Sequence, residues 1–250
     1  MTYGRMAGRQ STVKGKTEGN ALRRGVRWLI ALAVRWLARI VLVAASAWLA
    51  LVVLYTVIDP PTTVTIWQEG QRLGSVDHAW SDIEDIAPVM LRAVVAAEDA
   101  NFCRHWGFDM GAIREALEQG AGRGASTISQ QTVKNVFLWQ GRSWPRKAIE
   151  AALTPVVETL WSKRRILEVY LNVAEFSEGV FGVNAAAFHY FRTTPDKLTA
   201  RQAALLAAVL PDPKGRSASH PSDFVARRAR QIADGAATIA ADGRAACFSK

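Results

Sequence analysis

Three carboxylates, a histidine and an arginine fall within twelve consecutive residues, from Glu98 to Asp109. An apolar run at 93–97 comes directly before Glu98, and Pro88 suits the first turn of a helix, where its missing N–H costs nothing. This pattern predicts a core-packed helix that ends at Glu98 and presents its carboxylate to a cavity. Asp109 is predicted to cap the next helix. The alternative interpretation is a surface loop in which Asp109 caps a helix and His105 only packs.

Hydroxyls, amides and a lysine form a second cluster between Gly124 and Asn135. Thr127 and Gln130 have the spacing of a capping box, which predicts a helix beginning at Ile128. Free N–H donors at a helix N-terminus can hold phosphate or hydroxyl groups. The alternative is a glycine hinge followed by a capped helix with solvated amides. The polar side chains of this cluster are Ser126, Thr127, Ser129, Gln130, Gln131, Lys134 and Asn135.

Three cations and a glutamate form a third cluster, Arg142, Arg146, Lys147 and Glu150. Arg146 and Glu150 lie four residues apart, so an ordinary helical ion pair would explain them. Three cations within six residues can also neutralise a pyrophosphate, and arginine matches phosphate geometry. The apolar run at 136–139 lies between these cationic sites, and it fits either the protein core or a surface that enters the outer membrane leaflet.

Helical signals dominate the chain after Ile86, which predicts a mostly α fold. Thr199 and Gln202 form a second capping box, and a final helix follows Pro221. Before this region, the alternating β-branched segment 62–67 predicts a short strand or hairpin.

The net charge of +9 is concentrated in the first 39 residues, which contain nine Lys or Arg and one Glu. The remainder carries a net charge of about +1, so a nucleic-acid footprint across the domain is not indicated. Residues 40–58 are uncharged and apolar, and they are long enough to cross a bilayer. A cleaved signal peptide and a buried core helix fit this segment less well. The positive-inside rule places residues 1–39 in the cytoplasm and the remainder outside it.

These boundaries divide the chain into a basic tail (1–39), a membrane helix (40–58), a linker (59–85) and a domain at 86–250. We expect residues 1–27 to be disordered, because they are polar and rich in Gly, Ser and Thr. Cys103 and Cys247 could pair in an oxidising compartment. With 144 positions between them they make no framework, and we favour two independent small apolar residues.

The ordered set of motifs resembles the family-51 glycosyltransferases, which polymerise peptidoglycan. Five motifs occur in the family's order and cover about residues 86–232. They are E-D-x-x-F-x-x-H-x-G-x-D from Glu98, G-x-S-T-I-x-Q-Q-x-x-K-N from Gly124, R-K-x-x-E from Arg146, K-x-x-I-L-E-x-Y-L-N from Lys163, and R-R at 227–228. The resemblance implies a stand-alone polymerase with a lysozyme-like helical lobe, a small membrane-touching jaw and one transmembrane helix.

The resemblance also implies the substrate and the roles of the site residues. Lipid II and the growing glycan chain would be the ligands, Glu98 the general base, and Glu150 a catalytic residue that orients the cations or helps to bind a divalent ion such as Mg²⁺. The residues expected to bind substrate are Asp99, Phe102, His105, Ser126, Thr127, Gln130, Gln131, Lys134, Asn135, Arg142, Arg146 and Lys147.

The expected location is the bacterial inner membrane, with the catalytic domain outside the cytoplasm and other cell-wall synthesis proteins as conceivable partners. Two other classes stay open on the sequence alone. A lytic, lysozyme-like enzyme would also need a catalytic glutamate, but it would not need pyrophosphate-binding cations. A non-catalytic membrane scaffold would tolerate the loss of Glu98.

Overall fold

The computed structural model describes residues 8–119, 126–141 and 143–249, with side chains from residue 25 onward. Two units are distinguished within it, residues 1–51 and residues 52–250, and each is described by itself.

The first unit contains most of helix α1, Gly8–Leu54, and the last three residues of this helix belong to the second unit. The segment Gly25–Leu54 has a mean hydropathy of 2.4 and is long and apolar enough to cross a membrane. The helix extends back to Gly8, so the disorder predicted up to residue 27 is wrong for residues 8–27. No proline interrupts this segment, and an established helix propagates through residues of moderate propensity. Residues 1–7 lie outside the described part of the chain.

The second unit is mostly helical, as the sequence predicts, and contains three short strands among the described residues. Its helices are α2 (Val64–Leu73), α3 (Pro88–Glu98), α4 (Met110–Gln119), α5 (Ile128–Phe137), α6 (Trp144–Leu160), α7 (Lys163–Val173), α8 (Gly182–Phe191), α9 (Ala200–Val209) and α10 (Asp223–Ala241). The strands are β1 (Asp77–His78), β2 (Glu175–Ser177) and β3 (Val180–Phe181). They form a sheet in the order β1-β3-β2, in which β3 runs parallel to β1 and antiparallel to β2.

Two groups of helices bring the predicted site together. Helices α3, α9 and α10 pack against one another, and α5 packs against α6 and α7. The apolar residues of α3 are buried in the first group, with Met90 and Val94 fully inaccessible. The prediction of a core-packed helix ending at Glu98 is therefore confirmed.

The strand or hairpin predicted at residues 62–67 is wrong, because this segment begins helix α2. Thr63 caps the helix by accepting a hydrogen bond from the Ile66 backbone N–H at 3.2 Å. The helix includes Gly70 and ends at Gly74, whose φ of 85° favours glycine. The cap and the burial of Thr65 and Ile66 override the β-branched composition.

Cys103 and Cys247 form a disulfide, with their Cα atoms 5.7 Å apart. The preference for two independent cysteines is therefore wrong. The reason is tertiary: α10 packs along α3, so the turn that follows α10 reaches the loop that follows α3. The separation of 144 residues along the chain does not reveal this contact.

Candidate active site

Glu98 ends α3, and its carboxylate is held by Gln131 from the first turn of α5. Gln131 Nε2 donates to Glu98 Oε2 at 2.9 Å, and the Tyr170 hydroxyl donates to Gln131 Oε1 at 3.3 Å. From the other side, Arg228 Nη2 of α10 donates to the carbonyl of Ala97 at 3.1 Å. Helix α5 thus holds the Glu98 carboxylate, α7 supports Gln131, and α10 holds the backbone at the end of α3.

Burial raises the pKa of the Glu98 carboxyl. The hydrogen bond from Gln131 and the positive charges of Arg228 and Lys134 act in the opposite direction without cancelling that effect. Burial disfavours the charged form of a carboxyl, and a raised pKa brings a glutamate closer to the range of an effective general base. Burial also raises the pKa of the neighbouring Tyr170, so its hydroxyl remains a hydrogen-bond donor.

The loop after Glu98 is fastened to the N-terminus of α5. Asp99 accepts hydrogen bonds from the Ile128 N–H at 3.0 Å and from His105 Nε2 at 2.8 Å. The Thr127 hydroxyl donates to the carbonyl of Gly107 at 2.7 Å. Gly107 has a φ of 83°, and a Cβ there would lie 2.7 Å from a methyl carbon of Thr154, so both conformation and space require glycine.

Three residues expected to bind substrate lie in this loop and face the protein interior. Phe102 is completely buried, Asp99 is 7% exposed, and the His105 side chain is nearly inaccessible. Asp99 holds the loop against α5 and also accepts from His105, and Phe102 packs against Phe248; contacts of these three residues with substrate stay predictions. Asp109 Oδ1 accepts from the Ala112 N–H at 2.9 Å, which confirms the predicted cap of α4.

The predicted capping box at the start of α5 is present and uses two more of the expected site residues. Thr127 accepts from the Gln130 N–H, and Gln130 Oε1 accepts from the Thr127 N–H at 3.1 Å. Both side chains are buried, so their first role is to cap the helix. Ser126, which comes directly before them, is exposed, and its hydroxyl accepts from Lys147 Nζ at 3.2 Å. Asn135 lies further along the helix at a partly exposed position.

Glu150 lies at the centre of the cation cluster and is only 2% exposed. Arg146 Nη1 lies 2.7 Å from Glu150 Oε2, and Lys147 Nζ pairs with Glu150 Oε1. Arg146 is also buried, and its Nε donates to the carbonyl of Gly141 at 2.8 Å. The predicted helical ion pair is therefore a buried Arg146–Glu150 pair joined by the partly exposed Lys147, and this triad fixes two cations at the start of α6. Arg142 lies outside the described residues.

The ammonium group of Lys134 makes no hydrogen bond or ion pair with the residues that the structure describes. Burial lowers the pKa of its ammonium group, Glu150 acts to raise it, and Arg146 and Lys147 lower it further. A partly buried cation with no direct partner is suited to binding an anion, because ligand charge would replace the lost hydration.

Two adjoining cavities meet at Gln131 and Lys134. One of about 390 Å³ lies along the cation cluster and is lined by Ser126, Gln130, Gln131, Lys134, Gln140, Gly141, Arg146, Lys147 and Glu150. The other, of about 340 Å³, continues past Tyr170 to the loop after α9. The sequence analysis missed Gln140, which lines both cavities, and Lys214, which lines the second. Neither residue belongs to a polar cluster in the sequence, and the fold alone brings them to the site.

Among the described residues, no three His, Cys, Asp or Glu side chains cluster as metal ligands would. Both oxygens of Glu150 already face cations. The side chains around Glu150 therefore do not fit a divalent metal ion.

Comparison with known proteins identifies the family. The family model described as Transglycosylase matches residues 67–237. A biosynthetic peptidoglycan transglycosylase from Jannaschia sp. (strain CCS1) is 61% identical over 215 residues, covering 86% of this chain and 90% of the relative. The proteins of the same name from Pectobacterium atrosepticum and Escherichia coli O127:H6 are 49% and 48% identical, covering 79% and 78% of this chain and 86% and 85% of the relatives. The chain therefore belongs to the transglycosylase family and is a glycosyltransferase.

Proposed function

We propose that this enzyme polymerises lipid II into linear glycan strands of peptidoglycan, releasing undecaprenyl pyrophosphate. The observation that carries the proposal is that Gln131, which holds the Glu98 carboxylate, lines the same cavity as Lys134 and the cation cluster. The names of the relatives support the substrate class, and the sequence motifs support lipid II as the donor and acceptor.

Glu98 acts as the general base in an inverting displacement. Its carboxylate takes the proton from the 4-hydroxyl of the acceptor sugar as that oxygen attacks the anomeric carbon of the donor chain. The bond from that carbon to the pyrophosphate breaks, and the pyrophosphate keeps the bonding electrons. The raised pKa of Glu98 favours this proton transfer, and the hydrogen bond from Gln131 keeps the carboxylate in place.

The cations stabilise the departing pyrophosphate. Lys134 lies on the cavity wall with no partner for its ammonium group in the described part of the chain, and Arg146 and Lys147 are fixed beside it by Glu150. Such fixed charges need no reorganisation while the transition state forms, which is the source of electrostatic catalysis. Glu150 is therefore assigned an orienting role, and Arg142 is assigned to the same leaving group because it belongs to this cluster of cations in the sequence.

The polyprenyl chain of the substrate requires a site at a membrane surface. We assign α1 as a single membrane anchor with its basic N-terminal flank in the cytoplasm, and the catalytic unit to the outer side of the inner membrane. Trp144, which is 89% exposed beside the cation cluster, would lie at the interface.

The test is polymerisation of lipid II by the purified full chain, with glycan strands separated by length. Glu98→Gln keeps the shape of the side chain but removes the base, and it is expected to lower the rate about 10²-fold or more while lipid II still binds. Glu178→Gln, an exposed carboxylate away from the cleft, is the matched control and should retain the wild-type rate.

Wild-type polymerisation by Glu98→Gln would show that another residue is the base. Cleavage of finished glycan by the wild-type enzyme, without strand synthesis from lipid II, would replace the proposal with a lytic activity.

A further inference from the structure

The turn at residues 243–249, which follows α10, contacts the loop that follows Glu98. We call this turn the C-terminal strap. Cys247 of the strap is bonded to Cys103 of the loop, and Arg244 Nη1 donates to the carbonyl of Ala100 at 3.2 Å. Two successive backbone hydrogen bonds shape the strap, from Ala246 to Gly243 and from Phe248 to Ala245. The strap is thus an ordered structure tied to the loop covalently and by side-chain contacts.

Phe248 is the apolar anchor of the strap and is 1% exposed. Its ring lies 6.4 Å from the ring of Phe102, which is itself completely buried. Lys163 Nζ lies 4.5 Å from the centre of the Phe102 ring and pairs with Glu158 at 2.7 Å. The strap therefore closes the outer side of a buried cluster, and its removal would leave Phe102 without one of its supporting walls.

The same loop is fastened on its inner side to α5. Asp99 holds the Ile128 N–H, and Gly107 accepts from Thr127. Three residues after Ile128 in α5, the Gln131 amide donates to the carboxylate of Glu98. The contacts thus run from the strap to the loop, from the loop to the N-terminus of α5, and from α5 to the catalytic carboxylate.

We propose that Cys103, Cys247 and Phe248 are positioning residues for glycosyl transfer: the strap keeps the loop after Glu98 seated on α5, and so keeps Glu98 buried beside Gln131. None of the three touches the reacting atoms. The proposal rests on the assignment of Glu98 as the base, and it adds a requirement for the intact disulfide.

The perturbation uses the fact that the chain contains only two cysteines. A dithiol reductant transfers two electrons and two protons to the protein: the Cys103–Cys247 bond breaks, two cysteine thiols form, and the reductant closes to its own disulfide. Both cysteines are partly exposed, so the reductant can reach them. The double variant C103S/C247S lacks the disulfide without any reductant. Because it has no cysteine left, it is also the control for side effects of the reductant.

The measurement is the initial rate of lipid II polymerisation by the full chain against pH, at temperatures where every form remains folded. We expect reduction to lower kcat about fivefold or more, because small displacements of catalytic groups are costly. The double variant should show the same loss and should not respond to reductant.

The acidic limb of the pH profile separates positioning from mere destabilisation. Glu98 faces Lys134 and Gln131 from α5, Arg228 from α10, Asp99 from its own loop, and Tyr170 from α7. If the loop loosens, water reaches Glu98, and the acidic limb should move to lower pH. A smaller folded fraction would lower the rate without moving the limb.

A second pair of variants leaves the disulfide intact. Phe248→Ala should reproduce the loss and the shifted limb, and Phe248→Leu should restore most of the rate. Val183→Ala, at a fully buried position of α8 that lines neither cavity, is the control for loss of stability alone and should leave the limb in place.

Amide hydrogen exchange gives a readout that does not need activity. Reduction should accelerate exchange at residues 99–107 and in the first turn of α5. Equal rates, an unmoved limb or unchanged exchange in the two redox states of an active enzyme would overturn the proposal. A wild-type enzyme that makes no glycan from lipid II would instead overturn the proposed function.

Discussion

Replacing Glu150 with Gln should destabilise the enzyme much more than an ordinary loss of one ion pair. Glu150 is 2% exposed and Arg146 is 8% exposed, so the substitution leaves a buried guanidinium without its counter-ion. Among the described residues, the only other hydrogen bond of the Arg146 guanidinium is the one to the Gly141 carbonyl. A glutamine amide also presents N–H groups, which repel a cation.

The size of the effect follows from this burial. Removing one partner of a buried ion pair costs about 3–5 kcal/mol. Lys147 is 41% exposed in its side chain and can return to water, so we take the lower figure, about 3 kcal/mol. For a chain of this size, each kcal/mol lowers Tm by about 2–4 °C, which gives a fall of about 6–12 °C.

The assay is thermal unfolding of the full chain in detergent, followed by circular dichroism. Glu178→Gln is the matched control, because the Arg72–Glu178 pair is about half exposed on both sides and should contribute about 1 kcal/mol or less. If Glu150→Gln unfolded within about 2 °C of this control, the triad would not be a structural anchor. The assignment of Glu150 as the residue that fixes the cations would then fail.

Three further predictions concern the base, the free cation and the anchor. Because burial raises the pKa of Glu98, its charged form is disfavoured in the folded state, so stability should fall as pH rises from about 4.5, the ordinary glutamate value, through the raised pKa. Glu98→Gln should remove this loss and unfold at a higher Tm than wild type at neutral pH, whereas an equal Tm at pH 4 and pH 8 in both proteins would contradict it. Lys134→Ala should lower turnover more than tenfold, on the scale of about 2–4 kcal/mol for one transition-state contact, as measured by initial rates on lipid II; near-normal turnover would leave Lys134 as a surface cation. A reporter that is active only outside the cytoplasm should work when fused after Lys250 and fail when fused after Arg24, and the reverse pattern would end the proposed topology.

The features that the sequence predicted correctly depend on neighbours in the chain. The end of α3 at Glu98, the Asp109 cap and the Thr127–Gln130 capping box each involve residues within one or two helical turns. The same locality explains the error at residues 62–67, where the β-branched composition favours a strand but the cap at Thr63 begins a helix. The predicted boundaries at residues 39, 58 and 85 stay predictions.

The features that the sequence could not predict depend on contacts between distant segments. Gln140 reaches the cleft because its amide donates to Thr65 of α2 at 2.8 Å, across 75 positions in the chain. Lys214 enters it from the loop after α9 and lies 3.1 Å from Glu69. Their positions in the sequence do not indicate that they are neighbours, because only the packing of the helices brings them together. The disulfide could not be predicted for the same reason.

The Glu98–Asp99 pair shows why adjacency in the sequence is a poor guide to shared chemistry. Helix α3 ends between the two residues, and Asp99 leaves it with a φ of −161°, in extended backbone. Their carboxylates therefore contact different residues of α5. The Glu98 carboxylate accepts from the Gln131 amide, which lines the cleft, and the Asp99 carboxylate accepts from the Ile128 N–H at the start of the helix. A carboxylate at a helix N-terminus binds the unpaired N–H groups there, so Asp99 anchors the loop to α5. The proton transfer proposed for Glu98 thus depends on Asp99, because Asp99 fixes the N-terminus of the helix whose Gln131 holds Glu98.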